Sequence, residues 1–482
     1  IIVTGNVTAA EIMKQGIQHH SFGQASRFVF VTLITGTGIG LSVSLVASLF
    51  VTGLLFLADQ RHAMDGYFPL LQIADGSLVP LIWLIGAAFL LWGVRQLFSI
   101  KRWHGPADSI FGAHRLDNEI DVKAGIGSTI AAFISMGGGA SVGQYGPLVH
   151  FGATIGTYIR QAFNNKAIGT DVFIGCGVAA AIAAGFHAPI AGIVFAHEAV
   201  LRHFSFRALT PIAISSITSV WFSTAIFGSD PLFVLNAVAT DLLPMVPILL
   251  GSGLLFGVVA MFFMLALFKS AAIAAKTGFS PLVLTLVAAT ICGSVAILVP
   301  EILGSGVTEI NLIFDGGYAL EFLFLLFVLK LLATSLCIGF GLFGGVFSPA
   351  AMIGTAAGGF VGKFLASVGV VTVPQLLPVA GFAAVTAAVV GAPISVVLIV
   401  FELTQSYDFA VAAMLAAVIA TFFTSLVFGH SFFDEQLRRR GVDLSRGRSD
   451  LELQSQPIIS VVSDDFIALL SDAKTKDAIE KL

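Results

Sequence analysis

The sequence predicts an all-α polytopic membrane protein. It is built of two structural repeats, with discontinuous helices meeting at mid-membrane. Composition is the first observation behind this reading. Of 482 residues, 57% are hydrophobic and only 11% are charged. Soluble domains carry about 25% charged residues, so this much apolar surface needs lipid as its solvent. A repeated interruption is the second observation. Gly143-Gln144-Tyr145-Gly146-Pro147 and Gly345-Val346-Phe347-Ser348-Pro349 break apolar sequence with the same Gly-x-x-x-Pro, 202 residues apart. Broken helices mark transport pathways rather than anchors.

Residues 1–27 predict a polar or amphipathic cytoplasmic helix, with no signal-peptide pattern. The apolar run 28–57 is long enough to cross a bilayer obliquely, for which about 20 apolar residues suffice. A polar loop is expected over 58–79 and a returning span over 77–98. Further apolar blocks, many cut by Gly and Pro, fill the chain to 428. Arg95, Lys101 and Arg102 follow the second span, and Arg438, Arg439, Arg440, Arg446 and Arg448 follow the last. The positive-inside rule then puts both termini in the cytoplasm. A plasma (inner) membrane is the expected host. Residues 435–482 predict a cytoplasmic linker and the start of a further soluble domain.

The repeats run over about 80–230 and 280–430. Gly152 and Gly156 follow Pro147 at the same distances at which Gly354 and Gly358 follow Pro349. Ala188-Pro189-Ile190 matches Ala392-Pro393-Ile394, and Glu198 and Glu402 each lie nine residues past their Pro. Pro suits the first turn of a helix and Gly the approach to it. A helix starting at membrane depth presents unpaired N–H groups and about half a positive charge. Two such N-termini converging make an anion site without a full charge, which suits an ion that must also leave. Backbone N–H groups near Gly146, Val346 and Phe347 are the expected ligands.

Taken together, the two broken-helix motifs, "HAPIAGIVFAHE", "GAPISVVLIVFELT" and Ser431-Phe432-Phe433-Asp434 resemble the CLC family of chloride channels and chloride/proton antiporters. The resemblance spans about Phe28 to Asp434. It implies a CLC-like transmembrane domain over 28–434 with antiparallel halves and one pore per subunit. It also implies a homodimer through helices at about 193–227 and 393–428, a linker and the start of a CBS-like domain over 435–482, and adenine nucleotide as the ligand of such a domain if the full chain has one. The family motif at 143–147 is usually Gly-Lys/Arg-Glu-Gly-Pro, whose Glu gates the outer pore; this chain has Tyr145 there. Ala199 stands where exchangers carry an inner Glu. Trp103 falls at the family's central Ser, and Phe433 at its inner Tyr.

A phenol has a pKa near 10 and burial raises it. Tyr145 is therefore a steric gate or a single O–H donor, not a proton carrier, and Ala199 carries nothing. These losses predict passive, proton-uncoupled, channel-like transport of an anion, with chloride expected. Two alternatives stay open. One is a proton-coupled exchanger with relocated carriers, for which His150, His187 and His197 are candidates. The other is a passive pathway for bicarbonate, nitrate or fluoride. No catalytic residue, metal site or cofactor is expected, and no basic stripe for nucleic acid. His197-Glu198 lacks the second His of a zinc motif, since Leu201 stands there. "GTGIG" at 36–40 reads as helix packing. Cys176, Cys292 and Cys337 read as buried thiols, and Glu198 and Glu402 as residues that cap or position helices.

Overall fold

The computed structural model describes residues 22–444, apart from 68–71, 74–75, 116–117, 164–168, 229–232, 234, 236–241 and 371–372. Most of the expected N-terminal helix, and the CBS-like segment beyond 444, lie outside the described residues. Among those described, eight helices are long and apolar enough to cross a membrane.

The first helix, α1 (Phe22–Tyr67), is longer than its apolar run. It continues through 58–67, which the sequence assigns to a loop. Nothing in Ala58-Asp59-Gln60-Arg61-His62-Ala63-Met64 breaks a helix, so polarity here marks an exit from the bilayer and not an end of the element. A two-residue hairpin, β1 (Gln72–Ile73) and β2 (Gly76–Ser77), leads into the repeats.

The first repeat contains α2 (Val79–Phe98), α3 (Pro106–His114), α4 (Val122–Gly137), α5 (Tyr145–Phe163), α6 (Thr170–Phe186), α7 (Pro189–Phe195) with a π turn over Ala196–Leu201, and α8 (Phe206–Phe227). The long α9 (Val246–Thr277) connects the halves. The second repeat follows in the same order: α10 (Pro281–Leu298), α11 (Val307–Phe314), α12 (Leu320–Gly339), α13 (Phe347–Ser367), α14 (Leu376–Val390), α15 (Pro393–Thr404) and α16 (Tyr407–Val427). The short α17 (Phe432–Arg438) closes the domain. Proline opens α3, α7, α10 and α15, where its missing N–H costs nothing.

The repeated glycines are packing surfaces. A Cβ on Gly152 or Gly177 would overlap the backbone of the other, and the same holds for Gly354 and Gly381. Gly156 and Gly358 press in turn on the carbonyls of Phe173 and Leu377. So α5 lies on α6, and α13 on α14, at backbone contact, as small residues allow in membranes. In α1, a Cβ on Gly40 would come within 2.5 Å of the Ser215 carbonyl on α8. "GTGIG" is therefore a packing face at Gly36 and Gly40. The three cysteines are free and buried.

Candidate functional site

The two Gly-x-x-x-Pro breaks meet. Gly143 N–H donates to the Gly345 carbonyl at 2.7 Å, and Gly345 N–H to the Gly143 carbonyl at 2.5 Å. This is an isolated antiparallel bridge between equivalent residues of the two repeats, so a two-fold relation runs through it. The glycines are needed for this approach. A Cβ on Gly345 would lie 2.6 Å from Gly146 N, and one on Gly143 would lie 2.9 Å from Pro349 Cδ. Neither has a positive φ. The tight approach expected of Gly before Pro is thus a contact across the two-fold, not a left-handed turn.

The bridge sets the N-termini of α5 and α13 side by side. A third helix joins them: a Cβ on Gly146 would lie 3.6 Å from Pro106 Cγ, at the first residue of α3. Three helix N-termini thus converge on one buried spot. Each brings first-turn N–H groups without helical partners and a partial positive charge. Sequence reasoning identified two of them. The third was signalled by Gly105-Pro106, the same punctuation in a shorter form.

Tyr145 is 2% exposed. Its ring stacks on Phe186 at 3.7 Å between centroids and 23° between planes, and meets Phe347 edge-on at 5.6 Å. Its hydroxyl donates to the Gly185 carbonyl at 3.2 Å. That bond engages the O–H expected to face an anion. Phe186 and Gly185 went unnoticed in the sequence because the second repeat has Val390 and Val389 at the matching places, so no repeat marks them. Gln144, Val346, Phe347 and Ser348 are all buried, and the Ser348 hydroxyl has no hydrogen-bond partner.

Trp103 donates from Nε1 to the Gly341 carbonyl at 3.1 Å, ahead of the second break, with its ring 5.8 Å from Phe343 and the Arg95 guanidinium above it. Phe433, buried in α17, packs edge-on against Phe432. Asp108 joins this region to the basic cluster, accepting from Arg102 and from Arg440 at 2.9 Å. Two guanidinium groups thus meet the largely buried Asp108 carboxylate.

Glu198 and Glu402 bind the repeats to each other. The Glu402 carboxylate accepts from Ile190 and Ala191 N–H at the start of α7. The Glu198 carboxylate accepts from Ile394 and Ser395 N–H at the start of α15. Each repeat caps the other. The histidines are dispersed. His150 Nδ1 lies 2.8 Å from the Ser109 hydroxyl, and its buried Nε2 has no partner. His197 Nδ1 pairs with the His203 carbonyl. His187 ends α6 in the left-handed region.

Comparison with known proteins decides the family. The voltage-gated chloride channel family matches residues 86–425. The chain belongs to the CLC family. Its members transport anions and are not enzymes. Among curated relatives, the H(+)/Cl(-) exchange transporter ClcA of Vibrio cholerae is 29% identical, covering 67% of this chain and 70% of the relative. The voltage-gated ClC-type chloride channel ClcB of Salmonella typhimurium is 25% identical over 82% of this chain and 95% of the relative. Two solved structures share the fold. A slow cyanobacterial Cl-/H+ antiporter has a TM-score of 0.76 at 21% identity, covering 85% of this chain and 97% of its own. A CLC-type fluoride/proton antiporter has a TM-score of 0.69 at 22% identity, covering 86% and 98%.

Within this CLC protein a cavity of about 850 Å³ reaches Gln144, beside the first break. It lies at the end of the bundle away from α17. The Arg439 guanidinium sits 4.0 Å above the Phe268 ring, so the C-terminal part of α9 is at the basic end. From there α10 runs to the other end, where its Ala296, Ile297 and Leu298 line the cavity.

Proposed function

We propose that this CLC protein conducts anions passively and without proton coupling, with chloride as the anion. The observation that carries this reading is Tyr145. At the position where the family motif has a gating carboxylate, a phenol lies flat in an aromatic pocket with its hydroxyl engaged by the protein. Such a group cannot cycle a proton near neutral pH. The anion is held by the N-termini of α3, α5 and α13, through backbone N–H near Gly146, Val346 and Phe347. The Ser348 hydroxyl, lacking a partner, adds a donor there. Tyr145 is the outer gate, and Trp103 with Phe433 the inner constriction. The basic cluster at Arg438–Arg440 faces the cytoplasm of an inner membrane. The exposed apolar faces of α8 and α16, with Ile217, Trp221 and Phe422, form the homodimer interface.

The test is chloride efflux from liposomes, driven by a potassium gradient and valinomycin with no proton carrier, with a pH probe in the same vesicles. Chloride efflux without opposite proton movement is expected. Protons moved uphill by a chloride gradient overturn the reading.

A second reading, proton-coupled exchange, has one specific observation in its favour. His150 is 1% exposed, with Nε2 unpartnered, and the half-buried His104 ring lies 6.0 Å away. That pair is a route from the basic face toward α5. Under this reading His150→Gln abolishes proton movement and leaves chloride flux; under the first it changes neither.

A further inference from the structure

Between Arg102 and Gly105 the chain makes a short loop whose tip is Trp103 and His104. One carboxylate holds both ends of that loop. Asp108, in the first turn of α3, accepts from Gly105 N–H at 3.0 Å. It also accepts from both arms of Arg102, at 3.0 Å on Oδ2 and 2.6 Å on Oδ1. Arg440, from the chain that follows α17, adds a fourth donor at 2.9 Å. A carboxylate offers about four lone-pair sites, so this one is fully used. Ahead of the loop, Arg95 donates to the carbonyls of Ile100 and Lys101 at 3.1 and 2.9 Å. At the tip, His104 N–H donates to the Ser128 hydroxyl on α4 at 2.8 Å.

We propose that Asp108 is a positioning residue for anion size selection: it clamps the loop that carries Trp103 and so sets the width of the inner constriction. The inference rests on the reading of Trp103 as part of that constriction. The Trp103 side chain has one hydrogen bond of its own, from Nε1 to the Gly341 carbonyl at 3.1 Å. That is a neutral bond, the weaker kind, whereas the bonds on Asp108 are charge-assisted and the Arg102 pair is a bidentate fork. The ring is only partly buried, and its aromatic neighbour Phe343 lies 5.8 Å away. Its place therefore follows the backbone under it, and that backbone is fixed by Asp108. Asn at 108 keeps the volume but loses the charge, and it turns an NH₂ toward N–H donors. The loop then loses the hold on one or both ends, and the indole can leave the Gly341 carbonyl. Removing a charge also changes the field at the mouth, but that acts on all monovalent anions alike. The ratio of a large anion to a small one isolates the width.

Efflux of chloride and of methanesulfonate, a larger monovalent anion, from liposomes carrying the whole chain tests this. Each is read as the potassium that leaves with it through valinomycin. In Asp108→Asn the methanesulfonate-to-chloride ratio should rise about fivefold or more. Arg102→Gln, which frees one end of the loop, should raise it by a similar factor. Arg440→Gln should raise it less, because Arg102 and Gly105 stay on the carboxylate. Trp103→Ala should give the largest rise. Combining Trp103→Ala with Asp108→Asn should give the ratio of Trp103→Ala alone, within about twofold. A ratio that climbs further in the double variant overturns the proposal, since Asp108 would then act elsewhere than through Trp103. An unchanged ratio in Asp108→Asn beside a raised one in Trp103→Ala also overturns it, and leaves the constriction reading standing. Should Asp108→Asn fail to fold, Arg102→Gln, whose side chain is half exposed, decides in its place. An unchanged ratio in Trp103→Ala removes the constriction reading and this inference with it.

Discussion

Replacing Tyr145 by Ala should raise anion flux by about tenfold or more, the scale on which loss of a steric block of one to two kcal/mol acts. The ring is enclosed. Phe186 covers one face, Phe347 meets it edge-on, and Gly185 takes its hydroxyl. Only a glycine at 185 admits this pose, because a Cβ there would lie 2.7 Å from Tyr145 Cε1. The truncated side chain leaves a void directly beside the helix N-termini, lined by polar backbone that water or an anion can enter. Stability falls too, since deleting a buried aromatic costs about 3–5 kcal/mol. Flux is therefore compared per folded protein, counted by size-exclusion. Tyr145→Phe separates ring from hydroxyl. It removes one neutral hydrogen bond of about 1 kcal/mol and keeps the obstruction, so its flux stays within about twofold of the parent. Tyr145→Glu should make flux pH-dependent, because a carboxylate at this place competes with the anion when ionised and not when protonated. Folded Tyr145→Ala protein with unchanged flux would show that the ring does not obstruct the path.

The sequence discloses the frame of this site because the frame is repeated. The common offset of Pro147 and Pro349 becomes the bridge between Gly143 and Gly345. The matched Glu198 and Glu402 become reciprocal caps. What lacks a partner in the other repeat stays hidden. Phe186 has Val390 opposite it, and only the three-dimensional stack joins it to Tyr145. Arg61 lies in a stretch that reads as a loop, yet α1 carries it to the cavity wall. Glycines mislead in a different way. Their spacing is legible, but a glycine needed for backbone contact and one needed for a left-handed turn are the same letter. Gly139 and Gly341 are of the second kind, with φ of 96° and 103°; Gly143 and Gly345 are of the first.

Glu402→Gln and Glu198→Gln should each destabilise the protein by about 1.5–3 kcal/mol, the span for hydrogen bonds to charged groups. Both carboxylates sit at a helix N-terminus, where a negative charge also meets the dipole. Gln keeps one acceptor oxygen but turns an NH₂ toward an N–H, so one donor of each pair loses its partner. The two sites are not equal. Glu402 accepts two backbone donors, at 2.9 and 2.7 Å. Glu198 accepts two at 3.0 and 2.8 Å, and the Ser395 hydroxyl at 2.6 Å besides. Glu198→Gln should therefore cost more, and Ser395→Ala should bring the two costs together. The measurement is the temperature at which the detergent-solubilised protein leaves the folded size-exclusion peak. The double variant should lose less than the two single losses combined, since α7 and α15 pack on each other and neighbouring sites couple. Strict additivity would mean that each cap holds only its own helix. A shortfall would mean that the two carboxylates act as one unit, so that losing either already loosens the register of the two repeats and the bridge that brings α5 and α13 together.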